Sequence, residues 1–390
     1  MTGMSQAIRQ RRKIAILADF PWGYLDDGAT GRGGGQAATW LTQLAELFSK
    51  EDRFEFHWIT LDRRGAPSAS REWHGQHFHR IAAGKLSVDL LLGYRLAKHR
   101  LLSVIRKIGP ELVHCWGSES AYPIVCGSLK APTIFSMQGI LTHLARQGLV
   151  PSIWQWKLIT AWEPRFLSTA KVITAESAWG VGIVRELQPG ADVRQVEYGV
   201  NPSFYKVGWK PEDKEPYALF VGYAGYGKGA DLLYDALALL GERQWQLKLV
   251  GEGPYQERFN DGSLPKTEAL GTMKWEDLQR LLAGARCLVL PTRGDTSPNV
   301  IKEARVIGLP VVTSSRGGQS GYILDGVNGF IVEPLDAKGL AGALDRLMND
   351  PQLAREMGAA RHQEDRAYFQ PSRTAEGFLA LYDELLAVAR

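Results

Sequence analysis

The sequence has few cysteines, no long apolar run and no D-x-D motif. Its three cysteines, Cys115, Cys126 and Cys287, lie inside apolar segments without C-x-x-C pairing, which excludes a disulfide scaffold and reads as buried thiols in a reducing compartment. No stretch approaches the roughly 18 apolar residues of a membrane-spanning helix. The basic cluster Arg9, Arg11, Arg12 and Lys13 is followed by IAILA, too short for the apolar core of a signal sequence, so a soluble, cytoplasmic protein is expected. D-x-D occurs nowhere and the histidines show no metal-ligand spacing, so no cofactor and no metal is expected. Charge of one sign is scarce too. The net charge of +4 is too mild to argue for nucleic acid. Residues 1–205 nevertheless carry 24 Lys+Arg against 17 Asp+Glu, and the remainder 22 against 25. A basic first half suits an anionic acceptor or peripheral contact with a membrane, and equally a merely solvated face.

What is present is α/β grammar, twice. At 390 residues the chain exceeds what one core normally serves. KIAILADF (13–20) leads through a glycine-rich loop into the helical spacing of AATWLTQLAELF (37–48). Apolar runs at 54–61, 112–116, 133–137 and 172–175 alternate with helical segments such as 91–109, a pattern of parallel βαβ units. Periodicity lapses over VNPSFYKVGWKPEDKEP (200–216) and restarts with YALFVG, LKLVG, CLVLP and VVTS. The reading is two doubly wound domains, 1–205 and 206–370, and a terminal helix over 371–390. Ligands of such sheets sit beyond the carboxyl ends of the strands, which points to the loops after Gly222, Gly251, Pro291 and Ser314.

One of these loops carries two acids into a helix. In PTRGDTSPNVIKEARVIG (291–308), Ser297 reads as the N-cap and Pro298 as the first helical residue, which leaves the amides of Asn299 and Val300 facing the cleft. A helix start is a ready site for phosphate or sugar oxygens. Glu303, four residues after Asn299, lies on the same face, and Asp295 lies in the preceding loop. VGYAGYGKGADLL (221–233) is a second strand, glycine loop and helix, with Lys228 able to reach a diphosphate as a point charge. Gly222, Gly227 and Lys228 nearly match a P-loop, but Gly229 replaces the hydroxyl that would bind Mg²⁺.

In this order the segments resemble the retaining glycosyltransferases of family 4, which have the GT-B fold. The likeness rests on F-V-G-x5-K-G (220–229), V-G-x-G-P (250–254), the Asp295-x7-Glu303 pair followed by Ala304, G-x-P-V-V (308–312), Gly317-Gly318 and D-G-x-N-G-F (325–330). A weaker likeness covers Gly33–Gly35, Glu163 and Y-G-V-N (198–201). The resemblance implies two Rossmann-like domains facing across a cleft, with the C-terminal helix crossing back to the first. It implies that Glu303 holds the donor ribose, Asp295 the sugar hydroxyls and Lys228 the diphosphate. The start of the helix, Ser297, Pro298, Asn299 and Val300, would meet sugar and phosphate, Gly227 would complete the loop, and Gly34 and Gly35 would let the first domain approach. Met273, in G-T-M-K (271–274), would lie near the base. Four positions depart from the family pattern. Asp295 replaces a glutamate, Tyr223 an arginine, Gln138 a histidine and Gly321 an acid.

The implied activity is retaining, metal-independent transfer of a sugar from a nucleotide-diphosphate sugar to a sugar, lipid-linked or other small acceptor, in bacterial polysaccharide, glycolipid or glycoconjugate synthesis. The rivals are a catalytically degenerate nucleotide-sugar-binding subunit, which Tyr223, Gln138 and Gly321 motivate, and an epimerase of the same fold, which would not need the acidic pair. Trp154, Trp156 and Trp162, interleaved with Lys157 and Arg165, read first as packing residues and second as an interfacial surface.

Overall fold

The computed structural model describes residues 11–27 and 39–388. Strands β1 (Arg12–Leu17), β2 (Phe54–Asp62), β3 (Ala69–Trp73), β4 (Gln76–Ala82), β5 (Leu112–Trp116), β6 (Thr133–Met137), β7 (Val172–Ala175) and β8 (Val193–Gln195) form one sheet in the order β3-β4-β2-β1-β5-β6-β7-β8. All its pairings are parallel except β3 with β4. A second, wholly parallel sheet has the order β11-β10-β9-β12-β13-β14. Its strands are β9 (Tyr217–Val221), β10 (Gln246–Val250), β11 (Thr267–Gly271), β12 (Cys287–Leu290), β13 (Val311–Ser314) and β14 (Gly329–Val332). Strands such as YALFV and CLVL are apolar throughout because helices cover both faces of a parallel sheet, and every residue in them is buried.

Among the parallel strands of each sheet the order reverses once, between β1 and β5 and between β9 and β12. Such switch points open a crevice at the carboxyl ends of the strands. The loops meeting at the second are 222–229 and 291–298, the two segments singled out by sequence.

The last helix, Pro371–Val388, crosses back to the first domain. Phe378, Leu381, Tyr382, Leu385 and Leu386 join the core that also holds Ile14, Phe48 and Trp58, and the Tyr382 hydroxyl lies 2.7 Å from His114 Nδ1. The chain thus passes between the domains twice, and the crossings touch. Val200 N donates to Phe369 O at 2.9 Å. A Cβ on Gly199 would fall 2.5 Å from the Pro371 Cα, so glycine is required there by close approach.

Several elements differ from the sequence reading. The helical run 91–109 is broken into Leu86–Leu91 and Arg95–Ile108 by Gly93 and Tyr94, both at φ 59°. Burial of the Tyr94 ring against Trp162, 5.7 Å away, outweighs the helical periodicity. The β3–β4 hairpin went unread because its strands are half polar, although His74-Gly75, with φ 47° and 72°, supplies the two positive dihedrals a tight hairpin turn demands. The short strands β8, β11 and β14 were missed too. All three cysteines are buried and free.

Candidate active site

Lys228 ends the short turn Tyr226–Lys228 beyond β9. Gly229 follows at φ 75°, and a Cβ there would lie 2.1 Å from Pro291 O. Glycine therefore lets the two switch-point loops touch, which brings the Lys228 ammonium into an ion pair with Asp295 Oδ2. The other carboxylate oxygen of Asp295 accepts from Ser297 N at 3.3 Å. Behind the loop, Gly318 N donates to Asp295 O at 2.8 Å, and a Cβ on Gly318 would sit 1.8 Å from Thr296 O. The Gly-Gly pair thus fixes the acidic loop from below. Arg293, the neighbouring cation, is committed elsewhere: it forms a two-pronged pair with Asp231 at 2.6 and 2.7 Å and lies 3.8 Å over the Tyr226 ring.

The helix beyond this loop, Asn299–Ile307, starts one residue later than the sequence suggests. Pro298 is the cap, with φ −69° and ψ 114°, and no side chain caps the helix. Ser297 is not the N-cap because its hydroxyl is drawn away to Glu197, at 3.0 Å, and Tyr322, at 2.8 Å. The amides of Asn299 and Val300 open the helix as expected, where no intrahelical carbonyl can reach them. Asn299 and Glu303 line one small cavity with Trp40 and Gln43 of the first domain and Asn201 of the connecting segment. Burial raises the Glu303 carboxyl to about 7, with Lys302 opposing. Among the described residues no hydrogen bond joins Glu303 to Lys228 or Asp295.

The remaining positions are spread around the cleft. Gly227 O accepts from Arg293 N and from the Thr292 hydroxyl, so it braces the loop. Tyr223 is exposed, its ring folded over Gly225. Met273 follows β11 and packs at the edge of the second core. Gln138 follows β6 on the first domain, beside Gly117. Gly34 and Gly35 lie outside the described residues. Glu163 is fully buried and accepts from the amides of Leu141 and Thr142 and from the Ser118 hydroxyl, a helix-capping role.

Two groups of charged residues were not read from sequence. Lys302, directly before Glu303, is fully buried at the domain interface, with Nζ 3.1 Å from Glu197, 3.5 Å from Glu176 and 2.9 Å from Tyr198 O. Burial pulls the Lys302 ammonium down, but Glu197 and Glu176 together raise it above its ordinary value. Burial lifts Glu176 to about 8, so we assign the ion pair to Lys302 and Glu197. The Tyr322 hydroxyl closes the network on Glu197 at 2.6 Å. Opposite, at the switch point of the first sheet, Asp19 follows β1 and Glu119 follows β5. Asp19 accepts from Ser120 and Tyr122, and burial raises Glu119 to about 7. A strand end preceding each of Asp19, Glu119 and Glu176 was the available signal.

Two Rossmann-like sheets and a returning C-terminal helix define the GT-B fold. Sucrose-phosphate synthase from Thermosynechococcus elongatus superposes with a TM-score of 0.76 at 21% identity, over 97% of this chain and all of that one. Residues 215–350 match the family model of glycosyl transferases group 1. The chain is 25% identical to the sulfoquinovosyl transferase SQD2 of Arabidopsis thaliana, over 69% of this chain and 56% of that protein. It is 26% identical to the GDP-mannose-dependent alpha-mannosyltransferase of Corynebacterium glutamicum, over 66% and 64%. The match therefore spans somewhat more than half the length of these two relatives. The likeness to glycosyl transferases group 1 thus lies in residues 215–350, and the chain as a whole is similar to such enzymes at the fold level.

Proposed function

We propose that the protein transfers a sugar from a nucleotide-diphosphate sugar to an acceptor hydroxyl, with retention of configuration and without a metal. The observation that carries this is the Lys228–Asp295 pair at the switch point of the second sheet, one turn ahead of a helix start and Glu303. A diphosphate takes the Lys228 ammonium, the sugar hydroxyls take Asp295, and the amides of Asn299 and Val300 meet phosphate or sugar oxygens. Glu303 accepts from the ribose hydroxyls. Charge develops on the departing nucleotide diphosphate, and fixed positive groups aimed there are commonly the largest catalytic contribution. Lys228 and the helix start supply them, so chelation with EDTA is expected to leave turnover unchanged. Gln138 and Glu119 lie together beside Gly117 on the first domain, and we assign the acceptor to that side.

Native mass spectrometry against UDP-, GDP-, ADP- and dTDP-sugars tests the reading. One donor is expected to bind, and slow release of free sugar from it distinguishes a catalyst from a degenerate binding subunit. If none binds, the enzyme reading falls.

Glu303 makes donor affinity pH-dependent. Its carboxyl titrates at about 7, and the ionised form accepts both ribose hydroxyls, so bound donor favours ionisation. Protons are then released on binding near pH 7, and affinity rises as pH climbs to about 7 and levels above it. Calorimetry in buffers of differing ionisation enthalpy reads that release. Its persistence in Glu303→Gln would contradict the assignment.

Among the described residues no helix is long and apolar enough to cross a membrane. We further infer a cytoplasmic protein resting on the inner membrane face, in polysaccharide, glycolipid or glycoconjugate assembly. The supporting feature is an exposed apolar surface on the first domain: Val88, Leu91, Leu92 and Leu96 beside Ile153 and Trp154, flanked by Lys85 and Arg95. Flotation with anionic liposomes is expected for the wild type and reduced in Leu91→Glu. Flotation indifferent to anionic lipid removes the idea.

A further inference from the structure

Side-chain alternation in the first sheet gathers a second constellation, built on strands that play no part in the donor site. β2 begins F-E-F-H and β4 contains H-F-H. With a period of two, Glu55 and His57 leave one face of β2, and His77 and His79 leave one face of β4. The two strands are parallel neighbours with His57 opposite His77, so the faces coincide. His57 Nε2 lies 2.8 Å from Glu55 Oε1, and His77 Nε2 lies 3.8 Å from the same oxygen. One ligand atom from each of Glu55, His57 and His77 falls within 4.8 Å of the other two. The His57 ring stacks on His77 at 4.7 Å and on His79 at 5.5 Å.

The surroundings resemble those that orient a metal-bound imidazole, whose far nitrogen is held by a fixed partner. His57 Nδ1 is 3.2 Å from His79 Nε2, and His79 Nδ1 is 2.9 Å from Ser70 Oγ. With the protons of both rings on Nδ1, the chain of donors runs outward and ends at Ser70. In that tautomer the His57 Nε2 lone pair faces the Glu55 carboxylate at 2.8 Å, an arrangement that a cation between them satisfies. Lys13 Nζ is 3.9 Å from Glu55 but also contacts Ile108 O at 3.4 Å, to which it can withdraw. His57 is buried, whereas Glu55 and His77 are half-buried, which leaves an entry path.

We propose that Glu55, His57 and His77 bind a late first-row divalent ion, Zn²⁺ foremost, with His79 as the residue that positions His57. Two imidazoles and a carboxylate are a zinc donor set, with bonds of about 2.0–2.2 Å and a fourth position for water. The bound ion fastens the β3–β4 hairpin, which forms the edge of the first sheet, to β2. The role is structural and leaves the metal-independent reading of sugar transfer untouched.

The test uses the full chain, freed of any affinity tag and treated with chelator. Calorimetric titration with Zn²⁺ is expected to show saturable one-to-one binding, Co²⁺ to give the visible bands of a four-coordinate site, and Zn²⁺ to raise the thermal midpoint. His77→Ala and Glu55→Gln, at half-buried positions and checked for folding by circular dichroism, are expected to weaken Zn²⁺ at least about 100-fold, and His79→Ala about 10-fold. No saturable Zn²⁺ binding by the wild type would show that a proton bridges Glu55 and His57 and would overturn the proposal. So would equal Zn²⁺ affinity in wild type and His77→Ala.

Discussion

Lys228→Ala is expected to lower kcat/KM for the preferred donor by about 10²–10³-fold, the scale for removing one preorganised charge partner of a developing anion. That corresponds to roughly 3–4 kcal/mol of transition-state stabilisation. The argument is positional. Lys228 ends a turn that Gly229 presses against Pro291, so its ammonium is held at the switch point. The neighbouring Arg293 cannot replace it, because Asp231 and the Tyr226 ring already hold that guanidinium. The substitution removes a charge from a partly exposed side chain, so the fold should survive. Lys228→Arg should restore part of the rate, and Asp295→Asn should raise KM without abolishing diphosphate binding. Donor-saturation kinetics with circular dichroism as control decide the matter. A Lys228→Ala enzyme within tenfold of wild type would end the assignment.

Lys302→Met is expected to destabilise the protein by about 3–5 kcal/mol, the usual result of removing one member of a buried ion pair. Met fills most of the volume, so the loss is chiefly electrostatic. Glu197 keeps Ser297 and Tyr322 as donors but loses its counter-charge in a region where Lys302 itself is fully buried. At roughly 2–4 °C per kcal/mol for a domain of this size, the thermal midpoint should fall by roughly 6–20 °C. Adding Glu197→Gln should recover part of the loss, since it removes the orphaned charge. No recovery in the double variant would mean that packing at the helix, not the ion pair, is what Lys302 contributes.

The donor-side half of the site was legible because its chemistry is local. Strand, loop, proline and helix follow one another from Pro291 to Glu303, and a glycine-rich loop with a terminal lysine is a continuous signal. Ser297 misled for a physical reason. Its hydroxyl has a choice between the helix amides and Glu197, and only the fold brings Glu197 within reach. Lys302 was invisible on the same grounds, since a lysine on an amphipathic helix ordinarily faces water. The histidines on β2 and β4 showed no ligand spacing because the spacing exists across strands. Glu55-x-His57 and His77-x-His79 meet only once β2 and β4 are paired, and the hairpin that places β4 was itself unread.

The returning helix Pro371–Val388 also bears on how the chain is made. Part of the first domain's core, including Phe378, Tyr382 and Leu386, is translated after the whole of the second domain. On the ribosome the N-terminal sheet must therefore wait with part of one face uncovered while the later sheet completes its own core. The domain encoded first is the one finished last, and a premature stop ahead of Pro371 would release a folded second domain joined to an unfinished first.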